Sequence, residues 1–359
     1  MRLRLCALIA VALLVACGGR SPTAPSQSSP TESGPGGVPP GGTTPVPAIS
    51  TGLHLTVSPV DIDSIVYITP MGAMAPWGHT LPTDHVYFYH YDGQGLAPPV
   101  PVYAPAGGRV KFINNGRIDV QVDAVFSYWI GPLTFAEGIV AGATIEAGTL
   151  LGTHATFPAL DFAVLRSTLS LPFVNPRRYS VDTLSADGPM RYFEGPIRSP
   201  ILAKVLRSGG EIDGRLNYDV ADTLSGNWYA EDLPVEISGR GGEQYYGVRK
   251  LSFARDVFSP DQPRVSIGGL GMTGLYGTAN DAPAFTNVTP SSGLVVYRMM
   301  AVGFRQSPPT NLQHGWLLVQ LLDSERLRVE AVPLQVFGTG VNAGPAPAAF
   351  TSRAELYLR

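Results

Sequence analysis

Pro101-Val102-Tyr103-Ala104-Pro105-Ala106-Gly107-Gly108-Arg109-Val110 is the stretch that decides how this chain is read. A β-branched and aromatic run stops at Pro105, two glycines follow, and Arg109-Val110-Lys111-Phe112-Ile113 then alternates. Proline cannot donate to a strand ladder, and glycine tolerates the positive φ of a sharp turn. The segment therefore predicts strand, turn, strand, with positive φ at Gly107-Gly108. Residues 140–152, VAGATIEAGTLLG, space Gly142, Gly148 and Gly152 along a similar run, which fits the folded-over turns of a small β-sandwich. Asn115-Gly116 marks a tight hairpin turn. Residues 119–128, DVQVDAVFSY, read as one strand with Val120, Val122, Ala124 and Phe126 on one face.

Working outward, helical periodicity is scarce and short strands recur. Residues 53–57, 64–68, 84–91 and 161–165 complete a first unit. Asn175-Pro176 and Asp187-Gly188-Pro189 interrupt the pattern, and strands near 229–237, 247–253, 264–268, 293–300, 315–322 and 327–332 form a second. The expectation is a mainly β chain with domains at 51–188 and 189–359, the second a β-barrel or β-sandwich. Gly226-Asn227-Trp228 resembles the Gly-x-Trp that opens the first strand of lipocalin-like barrels.

The N-terminus carries its own message. Arg2 and Arg4 precede an apolar run that begins near Leu5 and is too short to cross a bilayer, the pattern of an export signal over residues 1–16. Leu14-Val15-Ala16-Cys17 resembles the lipobox of bacterial lipoproteins, which implies a lipidated Cys17 and attachment to a membrane of the cell envelope. Residues 18–50 are almost entirely Gly, Pro, Ser, Thr and Ala, so they offer little apolar surface to offset ordering entropy and are expected to form a disordered tether. Extended at ~3.1 Å per residue, such a tether reaches roughly 100 Å.

Loss of the leader removes two arginines and no acid, taking the formal charge from −3 to −5, which argues against nucleic acid as a partner. Cys6 lies in the leader and Cys17 would be acylated, so the body has no thiol for a disulfide, a nucleophile or a metal. Neither a Gly-x-Ser-x-Gly elbow nor a phosphate loop occurs.

Three pieces of the first unit fall in a recognisable order. They are Gly78-His79-Thr80-Leu81-Pro82-Thr83-Asp84-His85-Val86-Tyr87-Phe88, the turn at 101–110, and residues 140–152 followed by Ala159-Leu160-Asp161-Phe162-Ala163-Val164. The series resembles the M23 (LytM-like) family of peptidoglycan metalloendopeptidases. The resemblance implies a LytM-like β-sandwich, the duplicated hybrid motif, over about a quarter of the chain. In that family zinc is held by a His and an Asp of the first motif and the last His of a His-x-His strand. His79 matches the first ligand and Asp84 the second, at a spacing one residue longer than the family's. The His-x-His positions fall on Ala159 and Asp161, and the histidine of a Tyr-x-His motif falls on Ile130.

His79, Asp84 and Asp161 are thus the candidate metal set, and no catalytic residue is assigned. Strand alternation from Asp84 would set Asp84 and His85 on opposite faces. His154 reads as a solvated loop residue and His90 as a core one. The implied protein is a cell-envelope lipoprotein whose degenerate M23-like domain binds cell-wall material or a protein partner, with no cofactor. Two alternatives stand beside it: an active zinc peptidase with a variant site, and a carrier of a small apolar ligand in the second domain.

Overall fold

The computed structural model describes residues 52–76, 78–93, 96–235, 248–302, 309–334 and 345–359. Cys17, the 18–50 tail and Trp77 lie outside them. Residues 48–359 form one compact unit, and no helix among the described residues is long and apolar enough to cross a membrane.

The first half is built from β1 (Tyr67–Thr69), β2 (Val86–Tyr89), β3 (Ala97–Tyr103), β4 (Gly108–Asn114), β5 (Arg117–Gln121), β6 (Phe126–Gly131), β7 (Thr134–Phe135), β8 (Thr144–Ile145), β9 (Leu150–Thr156), β10 (Ala159–Arg166) and β11 (Ala186–Asp187). One sheet runs β1-β2-β10-β6-β5-β4-β8, with β11 paired to β10, and a smaller sheet runs β3-β9-β7. Period-two alternation turns Val86, Phe88, Ile118, Val120, Tyr128, Ile130, Leu160 and Phe162 inward, where they meet Val102 and Leu151 of the small sheet.

Several local expectations change. Gly107 and Gly108 do not take positive φ, whereas Gly142, Gly148 and Gly152 do. Gly108 is required for a different reason: a Cβ there would strike the Gln121 carbonyl on the paired strand. The stretch 119–128 is not one strand. Asp123 accepts hydrogen bonds from the Val125 and Phe126 backbone N–H groups, each at 2.7 Å, and this turn divides β5 from β6. The Asn115-Gly116 turn forms as read, with both residues at positive φ.

The domain boundary also moves. Met190, Phe193, Ile201 and Leu216, assigned on sequence to the second domain, lie in the first hydrophobic core. The second domain's strands begin only at β12 (Gly226–Ala230) and continue through β13 (Lys250–Arg255), β14 (Pro263–Gly268), β15 (Gly274–Thr278), β16 (Val295–Val302), β17 (Pro309–Leu321), β18 (Arg326–Pro333) and β19 (Glu355–Leu358). Each pairs antiparallel with the next, and β19 returns to β12, closing an eight-stranded barrel. Closure leaves no free sheet edge. Of barrel and sandwich, the structure has the barrel.

Trp228 is fully buried, its Nε1–H donating to the Leu224 carbonyl at 3.0 Å. The Arg359 guanidinium lies 4.2 Å over its ring and donates to the Val220 and Thr223 carbonyls at 2.9 and 2.6 Å. Leu251, Phe253, Val265, Ile267, Tyr297 and Leu317 have zero exposure, so no water-sized void touches them. Among the described residues these side chains form the packed core of the barrel.

Candidate functional site

Sequence places the candidate residues in three segments, and sheet pairing brings them together. β10 lies between β2 and β6, with Asp161 opposite Tyr87 on one side and Gly131 on the other. Since Val86, Phe88, Ile130 and Phe162 point into the core, Tyr87, Trp129 and Asp161 point to the opposite face. A cleft of about 1360 Å³ opens there, and His79, Asp84, His85 and Asp161 all line it. Its far wall comes from the connector between domains and from Asn227, Tyr229 and Lys250 of the barrel.

Asp84 precedes β2 rather than belonging to it, so strand alternation does not govern its side chain. The expected opposition of Asp84 and His85 is therefore not found. Nδ1–H of His85 donates to Asp84 Oδ1 at 2.9 Å, and the Thr183 hydroxyl donates to Oδ2 at 2.7 Å. Thr183 is held in place by helix α1 (Val181–Ser185), whose N-cap Ser180 accepts from the Thr183 N–H at 3.1 Å. Burial works to raise the Asp84 pKa, but the His85 and Thr183 hydrogen bonds win and hold it at about 2. Burial likewise disfavours charged His85, yet Asp84 and then Asp161 raise its pKa. The Asp84–His85 contact is thus an ion pair in the acid-to-neutral range.

His79 stands beside this pair, its ring 5.5 Å from that of His85. Burial first, then His85, lowers its pKa to about 4, so the imidazole is neutral at physiological pH. Asp161 behaves in the opposite sense to Asp84: burial raises its pKa, and no hydrogen bond compensates. Beyond it, Arg117 stacks on Trp129 at 4.4 Å, chelates Asp119 at 2.5 and 2.7 Å, and reaches Asp182 of α1 at 2.8 Å.

Two histidine positions need correction. Ile130, aligned with the Tyr-x-His histidine, is a core residue; the β6 side chain on the cleft face is Trp129, with its ring 5.1 Å from His85. His154 is on strand β9, not in a solvated loop. It is fully buried, with Nδ1 2.7 Å from the Pro132 carbonyl and Nε2 3.1 Å from that of Phe157. His90 is buried, as read, against His154.

The cleft gathers His79, Asp84 and Asp161 along one wall, but they do not fit a zinc centre. Such a centre takes three converging protein ligands and a water. Both Asp84 oxygens are already hydrogen-bonded by protein donors, and Asp161 sits a row away, opposite Tyr87. Among the described residues no group of three or more His, Cys, Asp or Glu side chains is arranged to hold a metal ion. Sequence reasoning passed over Trp129, Thr183 and Lys250. The Asp84-His85 adjacency was visible, but Thr183 lies 99 residues from Asp84 and carries no local signal.

No protein-family model matches the chain, and no curated protein does. Among solved structures it is similar to Csd3 of Helicobacter pylori, at 16% identity over 40% of this chain and 34% of that one, TM-score 0.28. It is also similar to the catalytic domain of the antimicrobial peptidase lysostaphin from Staphylococcus simulans (18%, 36% and 93%, TM-score 0.27). A third is the deep-sea M23 metalloprotease pseudoalterin (20%, 40% and 90%, TM-score 0.25). The match takes in only about a third of the Csd3 chain.

Proposed function

We propose that this chain is a lipid-anchored protein of the bacterial cell envelope whose first domain is a catalytically degenerate M23-like domain, and that its cleft binds cell-wall material without hydrolysing it. The motif order at 78–88, 101–110, 140–152 and 159–164 supports the family reading. One observation carries the loss of catalysis: the Asp84 carboxylate, the resemblance's second metal ligand, is taken up by His85 and Thr183. Hydrolysis of an amide needs an activated water and a group that accepts its proton. Ala159 and Trp129 stand where a histidine would have to serve, and neither can do so. The cleft itself keeps ionised and aromatic groups able to hold a peptide or glycan.

The deciding experiment incubates purified protein with cell-wall sacculi, with and without zinc. Expected is retention of the protein on the sacculi, no release of soluble muropeptides, and no zinc dependence. Zinc-dependent muropeptide release that disappears in His79→Ala would overturn this reading in favour of an active variant-site peptidase. Failure to sediment with sacculi would overturn the binding role.

A further inference from the structure

The same sheet face carries a second hollow beside the cleft, of about 500 Å³, walled by Tyr87, Tyr89, Trp129 and Phe157 and floored by Ala159 and Asp161, with Asn115 and the neutralised Arg117 also on its lining. We propose that this hollow is a receptor for a primary ammonium group borne on a cell-wall peptide, with Asp161 as its counter-anion and the tyrosine rings as its wall. The inference rests on the cell-wall reading above and names the ligand chemistry within it.

Asp161 is the centre of the argument. Its carboxylate accepts no hydrogen bond and forms no ion pair among the described residues. Its cross-strand neighbours are Tyr87 and Gly131, and Ala159 precedes it on the same face. Burial pushes its pKa up. Asp161 is half-buried, so its carboxylate is only partly hydrated, and a charged donor that reaches it adds a hydrogen bond that the protein does not supply. The cations around it are committed elsewhere: His85, which acts on Asp161 through space, donates to Asp84, and Arg117 is chelated by Asp119, tied to Asp182 and stacked on Trp129.

The walls select which cation enters. Tyr87 and Tyr89 have ring centroids 6.2 Å apart, and Phe157 stands half-exposed at the mouth. Ring faces carry negative charge density and attract an alkylammonium, most strongly where water is excluded. A hard divalent metal wants several oxygen ligands, and Asp161 is the one carboxylate on this lining. An ammonium needs one carboxylate and ring faces, which is what the hollow supplies. Asp161 thereby takes the place of a metal ligand in the resemblance and gives it an organic cation.

The probe is Nα-acetyl-lysine amide, which carries one ammonium and no carboxylate, set against its Nε-acetylated counterpart. Binding to the full-length protein is read by calorimetry and tryptophan fluorescence in the presence of EDTA. The ammonium probe is expected to bind more tightly than the acetylated one by about tenfold or more, the equivalent of one charged hydrogen bond. Asp161→Asn should erase that preference while leaving the thermal transition in place, Tyr87→Leu should weaken it, and Tyr87→Phe should retain it. Equal affinity for the two probes, an unchanged preference in Asp161→Asn, or binding that requires added zinc would each overturn the proposal. Sacculi with their free amines acetylated should lose the protein. If they retain it as well as untreated sacculi do, the ammonium site is wrong and the cell-wall reading survives. If neither preparation retains it, the cell-wall reading fails and the proposal of a wall-borne ammonium fails with it.

Discussion

Asp84→Asn tests the hydrogen-bonded core of the cleft most directly. In the native protein the Asp84 carboxylate accepts from His85 Nδ1 at 2.9 Å and Thr183 Oγ1 at 2.7 Å. Asparagine keeps the shape but offers one acceptor oxygen and no charge, so one donor then faces an NH₂. A pKa held at about 2 against an ordinary 3.8 corresponds to about 2 kcal/mol of stability at pH values where Asp84 is ionised. Hydrogen bonds to charged groups give the same scale, about 1.5–3 kcal/mol. The sign follows from linkage. The Asp84 contribution is fully present above its unfolded value of 3.8 and is lost as pH falls through about 2. The His85 contribution, with its folded pKa raised, is fully present below 6.5 and is lost as pH rises through the folded value. The stability difference between native protein and Asp84→Asn should therefore be greatest between about pH 4 and 6.5, and shrink on both sides. Urea unfolding across that range measures it. A difference under about 0.5 kcal/mol near pH 5, or one that does not change toward pH 2, would refute the ion-pair assignment.

Other substitutions test other joints. Ile130→His should destabilise by about 3 kcal/mol and create no zinc affinity, because the imidazole enters the core rather than the cleft; calorimetry with zinc and a melting curve check both. Arg359→Met should cost about 3 kcal/mol by removing the hydrogen bonds to the Val220 and Thr223 carbonyls beside Trp228, seen as a lower urea midpoint. Thr183→Val, which removes one hydroxyl donor from the ionised Asp84, should cost about 2 kcal/mol by the same assay. If Cys17 carries the proposed lipid anchor, Cys17→Ser should move the protein from the membrane to the soluble fraction, read by fractionation.

Local rules carried the reading of this chain a fair distance. Proline and glycine punctuation with alternating apolar runs yielded a mainly β chain, the Asn115-Gly116 hairpin, and turns at Gly142, Gly148 and Gly152, because each is a property of a few adjacent residues. The rules failed where a neighbour in space outweighed a neighbour in sequence. Gly108 is glycine because Gln121 of the next strand comes close, not because its own φ demands it. Residues 119–128 alternate well enough for one strand, yet Asp123 captures two backbone N–H groups and folds them into a hairpin. His79, Asp84 and Asp161 were legible as candidates by residue type and order. What Asp84 does was not, since its partner Thr183 comes from a distant helix. Nor could sequence choose Trp129 over Ile130 for the cleft, because a one-residue change of register reverses every side chain on a strand. Composition and short-range pattern determine which elements exist. Register, closure of the barrel and the pairing of buried charges depend on contacts between distant segments, and only the folded chain decides them.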